Sequence, residues 1–127
     1  MMEIGNNYTR AEIAEKLGGS RIDFLPRVGR KVVCACLRMD LNPDAPEIIL
    51  AGFGTRIEES AEAICEQGGP IPVFIRQQAN AWKYIGNFRV ERCSTDANEI
   101  KSQEARSGRT GHDGVSRIIY MKKAQDE

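Results

Sequence analysis

The chain has 127 residues, of which 41% are hydrophobic and 28% are charged, a composition typical of one globular domain. No apolar run approaches the roughly 18 residues needed to cross a membrane, and no apolar stretch follows a basic N-terminus as in a signal peptide, so a cytoplasmic protein is expected. Lysine plus arginine number 18, as do aspartate plus glutamate, and this net charge of zero argues against a uniformly basic nucleic-acid-binding surface.

The first third of the chain is predicted to hold a short leader, one helix and one strong strand. Residues 1–8 form the leader, and Thr9 with Glu12 has the form of a capping box that opens a helix. Gly18 is typical of the end of such a helix. Residues 31–38 have basic ends and a continuous apolar middle, which predicts a central strand covered on both faces.

The rest of the chain is predicted to contain a second helix and several strands. A short strand over 47–51 precedes an amphipathic, acidic helix over 56–67. The runs 71–76 and 82–92 form the clearest hairpin, in which Gly86 interrupts the alternation and indicates a bulge. A polar, partly helical stretch and a Gly-rich, flexible loop lead to a last strand over 115–121.

This order of elements predicts an α+β fold. Strands with two or three inserted helices favour a curved mixed β-sheet or a partly closed β-barrel. The single domain is expected over 9–122, between the leader and a charged tail over 123–127.

Charge is unevenly distributed along the chain despite the zero total. Residues 16–38 carry six cations and one acid, and residues 76–92 carry four cations and one acid. Residues 40–66 carry seven acids and one cation. A domain with one basic face can bind a polyanion even when its total charge is zero.

Basic residues lie in or beside the predicted strands, with aromatic residues among them. Cations neutralise phosphates and aromatic rings stack on bases, so this combination predicts nucleic-acid binding. The candidate phosphate contacts are Arg27, Arg30, Lys31, Arg38, Arg76 and Lys83. Trp82 and Tyr84 are candidate base-stacking residues, although Tyr84 equally suits the core.

The stretch that contains Asp40, Asn42 and Asp44 is predicted to be a rigid loop. Its short acceptor side chains either hold a turn or face a ligand. Both interpretations are consistent with the pattern.

The four cysteines are expected to be reduced, because no export signal accompanies them. Cys34 and Cys36 lie among apolar residues and are expected to be buried core thiols. The alternative is a zinc site completed by Cys93 and His112. No cofactor is expected, since the glycine pattern of a dinucleotide-binding loop is incomplete.

The hairpin sequence Trp-Lys-Tyr-Ile-Gly-Asn-Phe-Arg-Val over 82–90, after a Pro-Val-Phe-Ile strand, resembles the hairpin of PUA-like domains. This group includes the SRA modules fused to restriction endonucleases. The resemblance implies a partly closed barrel that reads DNA, often by flipping a modified base between aromatic residues. Trp82 and Tyr84 match the hairpin aromatics, and Asp40, Asn42 and Asp44 are by position the candidate base-edge readers or pocket residues.

These observations lead to one main hypothesis and two alternatives. The main hypothesis is a non-catalytic reader of modified DNA in a bacterial restriction or defence system, with any nuclease activity on another domain or chain. The first alternative is a protein-interaction module that uses the acidic helix over 56–67. The second is a small metal-dependent hydrolase that uses Cys34, Cys36, Cys93 and His112.

Overall fold

The computed structural model describes residues 2–124, which contain three α-helices, eight strands and a short 3-10 helix over Gly111–Asp113. The elements in chain order are β1 (Asn7–Tyr8), α1 (Arg10–Leu17), β2 (Arg27–Val28), β3 (Lys31–Val32), β4 (Ala35–Leu37), β5 (Ile48–Ala51), α2 (Thr55–Gln67), β6 (Ile71–Gln78), β7 (Ala81–Ser94), α3 (Ala97–Ser107) and β8 (Arg117–Lys123).

One mixed sheet organises the domain. Its strand order is β4-β6-β7-β8-β5, and β1 adds to β7. The β4–β6 pair is parallel and the other pairs are antiparallel. The sheet is strongly curled into a half-barrel, so the predicted α+β fold with a partly closed barrel is confirmed. Strands β2 and β3 form a separate small hairpin.

The two faces of the sheet are covered by different helices. Val73 on β6 belongs to the larger apolar core together with Ile64 of α2. Phe74, the next residue, points to the opposite face and packs in a smaller core with Ile13 of α1. Within residues 2–124, no helix combines the length and apolar character that crossing a bilayer requires.

The β6–β7 hairpin forms as predicted, and a register shift lies beside Gly86. Gly86 pairs with Val73 and Tyr84 pairs with Phe74, so Ile85 is an extra residue in β7. Because one extra residue reverses the alternation of side chains, Trp82 and Tyr84 face the smaller core and Phe88 faces the larger one. A regular strand would place Trp82, Tyr84 and Phe88 on one face because all three positions are even-numbered. The extra residue places Phe88 on the opposite face from the other two.

The predicted strand over 31–38 is two strands rather than one central strand. Its first part, β3, pairs with β2, whereas its second part, β4, is an end strand of the main sheet. Between them, the Val33 N–H donates to the Pro26 carbonyl at 2.9 Å. The run is apolar because Leu37 and Cys36 are buried in different cores, on either side of β4.

The ends of the domain also differ from the prediction. Asn7 and Tyr8 of the predicted leader pair with Lys83 and Trp82, because β8 pairs with β7 only from Phe88 onwards and leaves this edge of β7 open. The predicted tail begins inside β8, and residues 125–127 of that tail lie outside the described residues. The capping box is as predicted: the Glu12 N–H donates to Thr9 Oγ1 at 3.1 Å, and the Thr9 N–H donates to Glu12 Oε1 at 2.8 Å.

The expectation of four reduced cysteines is wrong. Cys65 at the end of α2 and Cys93 on β7 form a disulfide, since α2 packs against the sheet with the two Cα atoms 6.2 Å apart. Cys34 and Cys36 are buried thiols, with their Sγ atoms 4.0 Å apart. This contact and burial raise the pKa of Cys34.

Candidate functional site

A cleft of about 590 Å³ lies where the C-terminal ends of β4, β5 and β6 meet the first turns of α1 and α2. Its volume falls in the range of about 300–1,000 Å³ that is typical of ligand sites. Among residues 2–124, its walls contain six arginines and two aspartates. The arginines are Arg10, Arg21, Arg38, Arg56, Arg76 and Arg109.

Backbone pairing brings these arginines together. Arg38 follows β4, and the parallel pairing of β4 with β6 places the end of β4 beside Arg76 on β6. Arg76 is the register partner of Trp82 on β7. The Arg10 N–H at the start of α1 donates to Asn80 Oδ1 at 3.1 Å, which ties α1 to the β6–β7 turn. Asn80 has a φ of 56°, a turn conformation that asparagine tolerates.

Arg10 lines the cleft and is buried, with 9% of its surface exposed. Its Nη2 donates to the carbonyls of Asp23 at 2.7 Å and Ser20 at 3.3 Å. Its guanidinium carbon lies 5.1 Å from the centroid of the Trp82 ring, a cation–π arrangement. Nε, also buried, has no acceptor within the described part of the chain.

Arg109 is buried as well, and its donors are used to hold the walls together. Nη1 donates to the carbonyls of Leu41 at 3.0 Å and Leu50 at 2.8 Å, and Nε donates to the Asp113 carbonyl at 2.7 Å. Burial lowers the pKa of Arg109, while the charges of Asp113 and Glu104 act in the opposite direction. This side chain therefore connects β5, the 3-10 helix and the segment before β5 around the cleft.

The remaining arginines differ in how they are paired. Arg56 Nη2 lies 2.6 Å from Asp23 Oδ2, and Arg38 Nη2 lies 2.6 Å from Asp40 Oδ2. The side chains of Arg21 and Arg76 make no salt bridge or hydrogen bond with any residue of 2–124. The cleft therefore keeps an excess of positive charge.

The arginines of the cleft contribute to lowered pKa values at two carboxyl groups, those of Asp23 and Asp40. Burial raises the pKa of Asp23, but hydrogen bonds from Ser20 and Arg56 and the charges of Arg56 and Arg10 outweigh it and keep the pKa below its usual value. The Arg38 hydrogen bond lowers the pKa of Asp40, and Arg76 contributes to the same effect. Both carboxyls are thereby held in the ionised form.

The rim of the cleft carries two exposed apolar side chains that the sequence analysis did not select. Phe53 is 58% exposed and Ile22 is 78% exposed, and both line the opening. Trp82, the predicted stacking residue, also lines the cleft but is only 8% exposed, with Arg10 against its ring. Among the Phe and Trp rings that line the cleft, Phe53 is therefore the most exposed.

The structure brings two of the six predicted phosphate contacts, Arg38 and Arg76, into the cleft. Lys83 lies on β7 opposite Asn7 and does not line it. The other three, Arg27, Arg30 and Lys31, are on the β2–β3 hairpin or its turn.

The hairpin cations meet the acidic face of α2. Arg27 Nη2 lies 3.6 Å from Glu59 Oε1, and Arg30 Nη2 lies 3.4 Å from Glu66 Oε1. Glu58 accepts from the Gly54 N–H at 3.0 Å. Three of the four acids on this face thus have partners within the domain, so the geometry does not favour α2 as a docking surface.

Two of the three candidate base-edge readers, Asn42 and Asp44, make hydrogen bonds that stabilise their loop. Asn42, which is buried, accepts from the Leu50 N–H at 2.8 Å and donates to the Arg38 carbonyl at 3.1 Å. Arg106 donates to both carboxylate oxygens of Asp44, at 2.6 and 2.7 Å. Of Asp40, Asn42 and Asp44, only Asn42 lines the cleft.

Tyr84 lies away from the cleft, at a second groove. Its ring centroid is 5.3 Å from that of Phe74, and its hydroxyl donates to Asn87 Oδ1 at 2.7 Å. This placement matches the core role that the sequence left open for this residue.

The alternative zinc site is not assembled. No cluster of three or more His, Cys, Asp or Glu side chains suited to a metal occurs within residues 2–124. Cys93 is bonded to Cys65, and His112 lines the cleft from the 3-10 helix. The four proposed ligands therefore do not meet.

No curated protein and no solved structure is significantly similar to the chain. A family model described as a domain of unknown function, DUF6697, matches residues 7–123. These limits coincide with the first residue of β1 and the last residue of β8. The chain therefore belongs to the DUF6697 family.

Proposed function

We propose that this domain is a non-catalytic nucleic-acid-binding reader. The single observation that carries the proposal is the cleft with six arginines, two aspartates and the exposed ring of Phe53 at its rim. Guanidinium groups bind phosphate, and an exposed aromatic ring offers a stacking surface to a base. The phosphate contacts are assigned to Arg21, Arg38 and Arg76, and the stacking contact to Phe53.

The finer parts of the proposal rest on the resemblance of the 82–90 hairpin to PUA-like and SRA-like modules. They are that the ligand is DNA with a modified base, that the setting is a bacterial restriction or defence system in the cytoplasm, and that any cleavage is performed by a nuclease partner. The cleft supports this assignment by supplying a positively charged recess beside that hairpin.

The positive charge of the proposed interface is confined to a recess, which limits how many phosphates it neutralises. If Arg21, Arg38 and Arg76 each neutralise one phosphate, the nucleic acid releases the counterions of three phosphates. A plot of the logarithm of the association constant against the logarithm of the salt concentration should then have a slope of about −2 to −3. A broad basic face would give a steeper slope.

The direct test is fluorescence anisotropy with labelled single-stranded and duplex oligonucleotides of one sequence, over a range of salt concentrations. We expect saturable binding at low salt that weakens with about this slope. The absence of binding to every oligonucleotide at low salt would rule out a nucleic-acid reader.

A second pair of probes tests recognition of a modified base. Two duplexes that differ only by cytosine modification at one position should differ at least tenfold in affinity if the domain reads the modification. Equal affinities would leave a nucleic-acid-binding domain that does not read that modification.

A further inference from the structure

Arg10 is a buried cation whose hydrogen-bonding capacity is mostly unused. A guanidinium has five N–H donors, and the two bonds of Arg10 are both made by Nη2. Nε is enclosed and has no acceptor among the described residues, and Nη1, which is not enclosed, makes no hydrogen bond with them either. Burying a charged group with unmet donors is costly, so this arrangement indicates an acceptor that the protein itself does not supply.

The neighbouring acids do not provide this acceptor. The Asp23 carboxylate receives Arg56 at 2.6 Å and the Ser20 hydroxyl at 2.7 Å. Asp23 hydrogen-bonds Arg10 only through its backbone carbonyl. Asp40 is bonded to Arg38. Nη1 keeps accessible surface, so an acceptor bound in the cleft that Arg10 lines can reach it.

Arg76 is the second element of this wall. Its side chain has no salt bridge or hydrogen bond within residues 2–124, and its register partner is Trp82, whose ring lies against Arg10. Arg10 from α1 and Arg76 from β6 thus both adjoin Trp82 and both line the cleft. Two arginines that converge in this way suit a group with several acceptor oxygens and negative charge.

We infer that Arg10 and Arg76, which both adjoin Trp82, form an oxyanion site that takes the phosphoryl group of one nucleotide. The inference rests on the proposed function, because it names the part of the nucleic acid that enters the cleft. The recess is larger than one phosphate needs, which leaves room for the attached sugar and base to extend to Phe53 at the rim.

The phosphoryl group has two possible sources, the end of a strand and an internal phosphodiester of an unpaired segment. Both present the same oxygens to the arginines. Oligonucleotides of one sequence with and without a 5′-phosphate distinguish them when each competes against a labelled nucleotide. Stronger competition by the phosphorylated strand assigns the terminal group, and equal competition assigns the internal one.

The test is calorimetric titration of the protein with a nucleoside 5′-monophosphate, the matching nucleoside and inorganic phosphate. The monophosphate should bind at least tenfold more tightly than the nucleoside, and inorganic phosphate should compete with it. Arg76→Gln should weaken the monophosphate at least tenfold, and Arg10→Lys should do the same with circular dichroism unchanged. Arg106→Gln, outside the cleft, is the matched control and should have no effect.

Equal binding of nucleoside and monophosphate, or an Arg76→Gln variant that binds the monophosphate like the native protein, would overturn the inference. If oligonucleotides still bind in that case, the proposed function stands without the oxyanion site. If the monophosphate binds through the arginines and no oligonucleotide binds, the oxyanion site stands and the nucleic-acid reader fails.

Discussion

The arginines of the β2–β3 hairpin differ from those of the cleft in whether an acidic side chain lies beside them. Arg27 and Arg30 on the hairpin each lie within 4 Å of a glutamate of α2. In the cleft, Arg21 and Arg76 have no such partner within the described residues, and Arg10 is bonded only to carbonyls. A local excess of cations in sequence therefore does not show which cations are available to a ligand.

The difference arises from how α2 presents its acids. Glu59 and Glu66 are seven residues apart, which is about two helical turns, so both lie on one side of the helix and face the hairpin. The segments that form the cleft carry few acids, and the carboxylate of Asp23 pairs with Arg56 alone. Pairing between distant segments thus neutralises one basic region and leaves the other charged.

The largest expected effect comes from removing the arginine that holds the cleft together. Arg109→Met leaves the carbonyls of Leu41, Leu50 and Asp113 without their donor, and we expect a loss of about 4 kcal/mol in the free energy of unfolding. Urea denaturation measures it. Arg106→Met, which breaks an exposed salt bridge with Asp44, should cost much less. Similar losses in both variants would show that burial of Arg109 is not what stabilises the walls.

The second-largest expected effect comes from reducing the disulfide of α2, the helix whose glutamates pair with the hairpin arginines. Cys65 precedes Glu66, and its disulfide with Cys93 closes a segment with a sequence separation of 28 residues. Reduction should lower the free energy of unfolding by about 3 kcal/mol, since the unfolded chain then gains conformational freedom. Urea denaturation with and without dithiothreitol measures this change.

A thiol count provides the control for the disulfide. The unreduced protein, unfolded in denaturant, should present two thiols, from Cys34 and Cys36. Four reactive thiols under non-reducing conditions would contradict the Cys65–Cys93 bond and return these residues to the reduced state that the sequence predicts.

Replacing an unpaired arginine of the cleft should weaken oligonucleotide binding more than replacing a paired arginine of the hairpin. Arg76→Gln should weaken oligonucleotide binding about tenfold, equivalent to about 1.4 kcal/mol, because an unpaired cation of the cleft is lost. Arg30→Gln removes the same charge from the hairpin, where Glu66 neutralises it, and should change the affinity less than about twofold. Anisotropy titrations of both variants at one salt concentration decide this, and an equal loss in the two would show that binding responds only to total charge.

Much of the fold is predictable because it depends on local pattern. The capping box of α1, the β6–β7 hairpin and the irregularity beside Gly86 are all encoded within short segments. The division of the 31–38 run and the Cys65–Cys93 bond depend on which distant segments meet, and spacing along the chain does not contain that information.

The cleft is less predictable than the fold for the same reason. Arg38 and Arg76 are recognisable because they lie at the ends of apolar strands. Arg109 lies in a Gly-rich stretch that the sequence predicts to be a flexible loop, and its burial depends on carbonyls contributed by Leu41 and Leu50. Phe53 is in a break between a strand and a helix, a context that does not distinguish an exposed ring from a packed one.

The smallest expected effect involves the acid that partly neutralises the cleft. The pKa of Asp23 is held below its usual value of 3.8 in the folded protein, so its carboxylate stabilises the fold above that pH and this contribution is lost as the pH falls through the folded pKa. Asp23→Asn should therefore lower stability by about 1 kcal/mol at pH 7, with the difference from the native protein shrinking below about pH 4. Thermal unfolding of both proteins between pH 2 and 7 measures it.

The same variant changes binding in the opposite direction from stability. Asp23→Asn frees Arg56 and removes one of two negative charges from the cleft walls, so oligonucleotide affinity should rise about twofold to threefold at low salt. Asp44→Asn also breaks a carboxylate–arginine pair, but outside the cleft, and should leave the affinity unchanged. If the two variants bind alike, the charge of the recess does not govern the interaction, and the difference between the cleft and the hairpin has no consequence for the ligand.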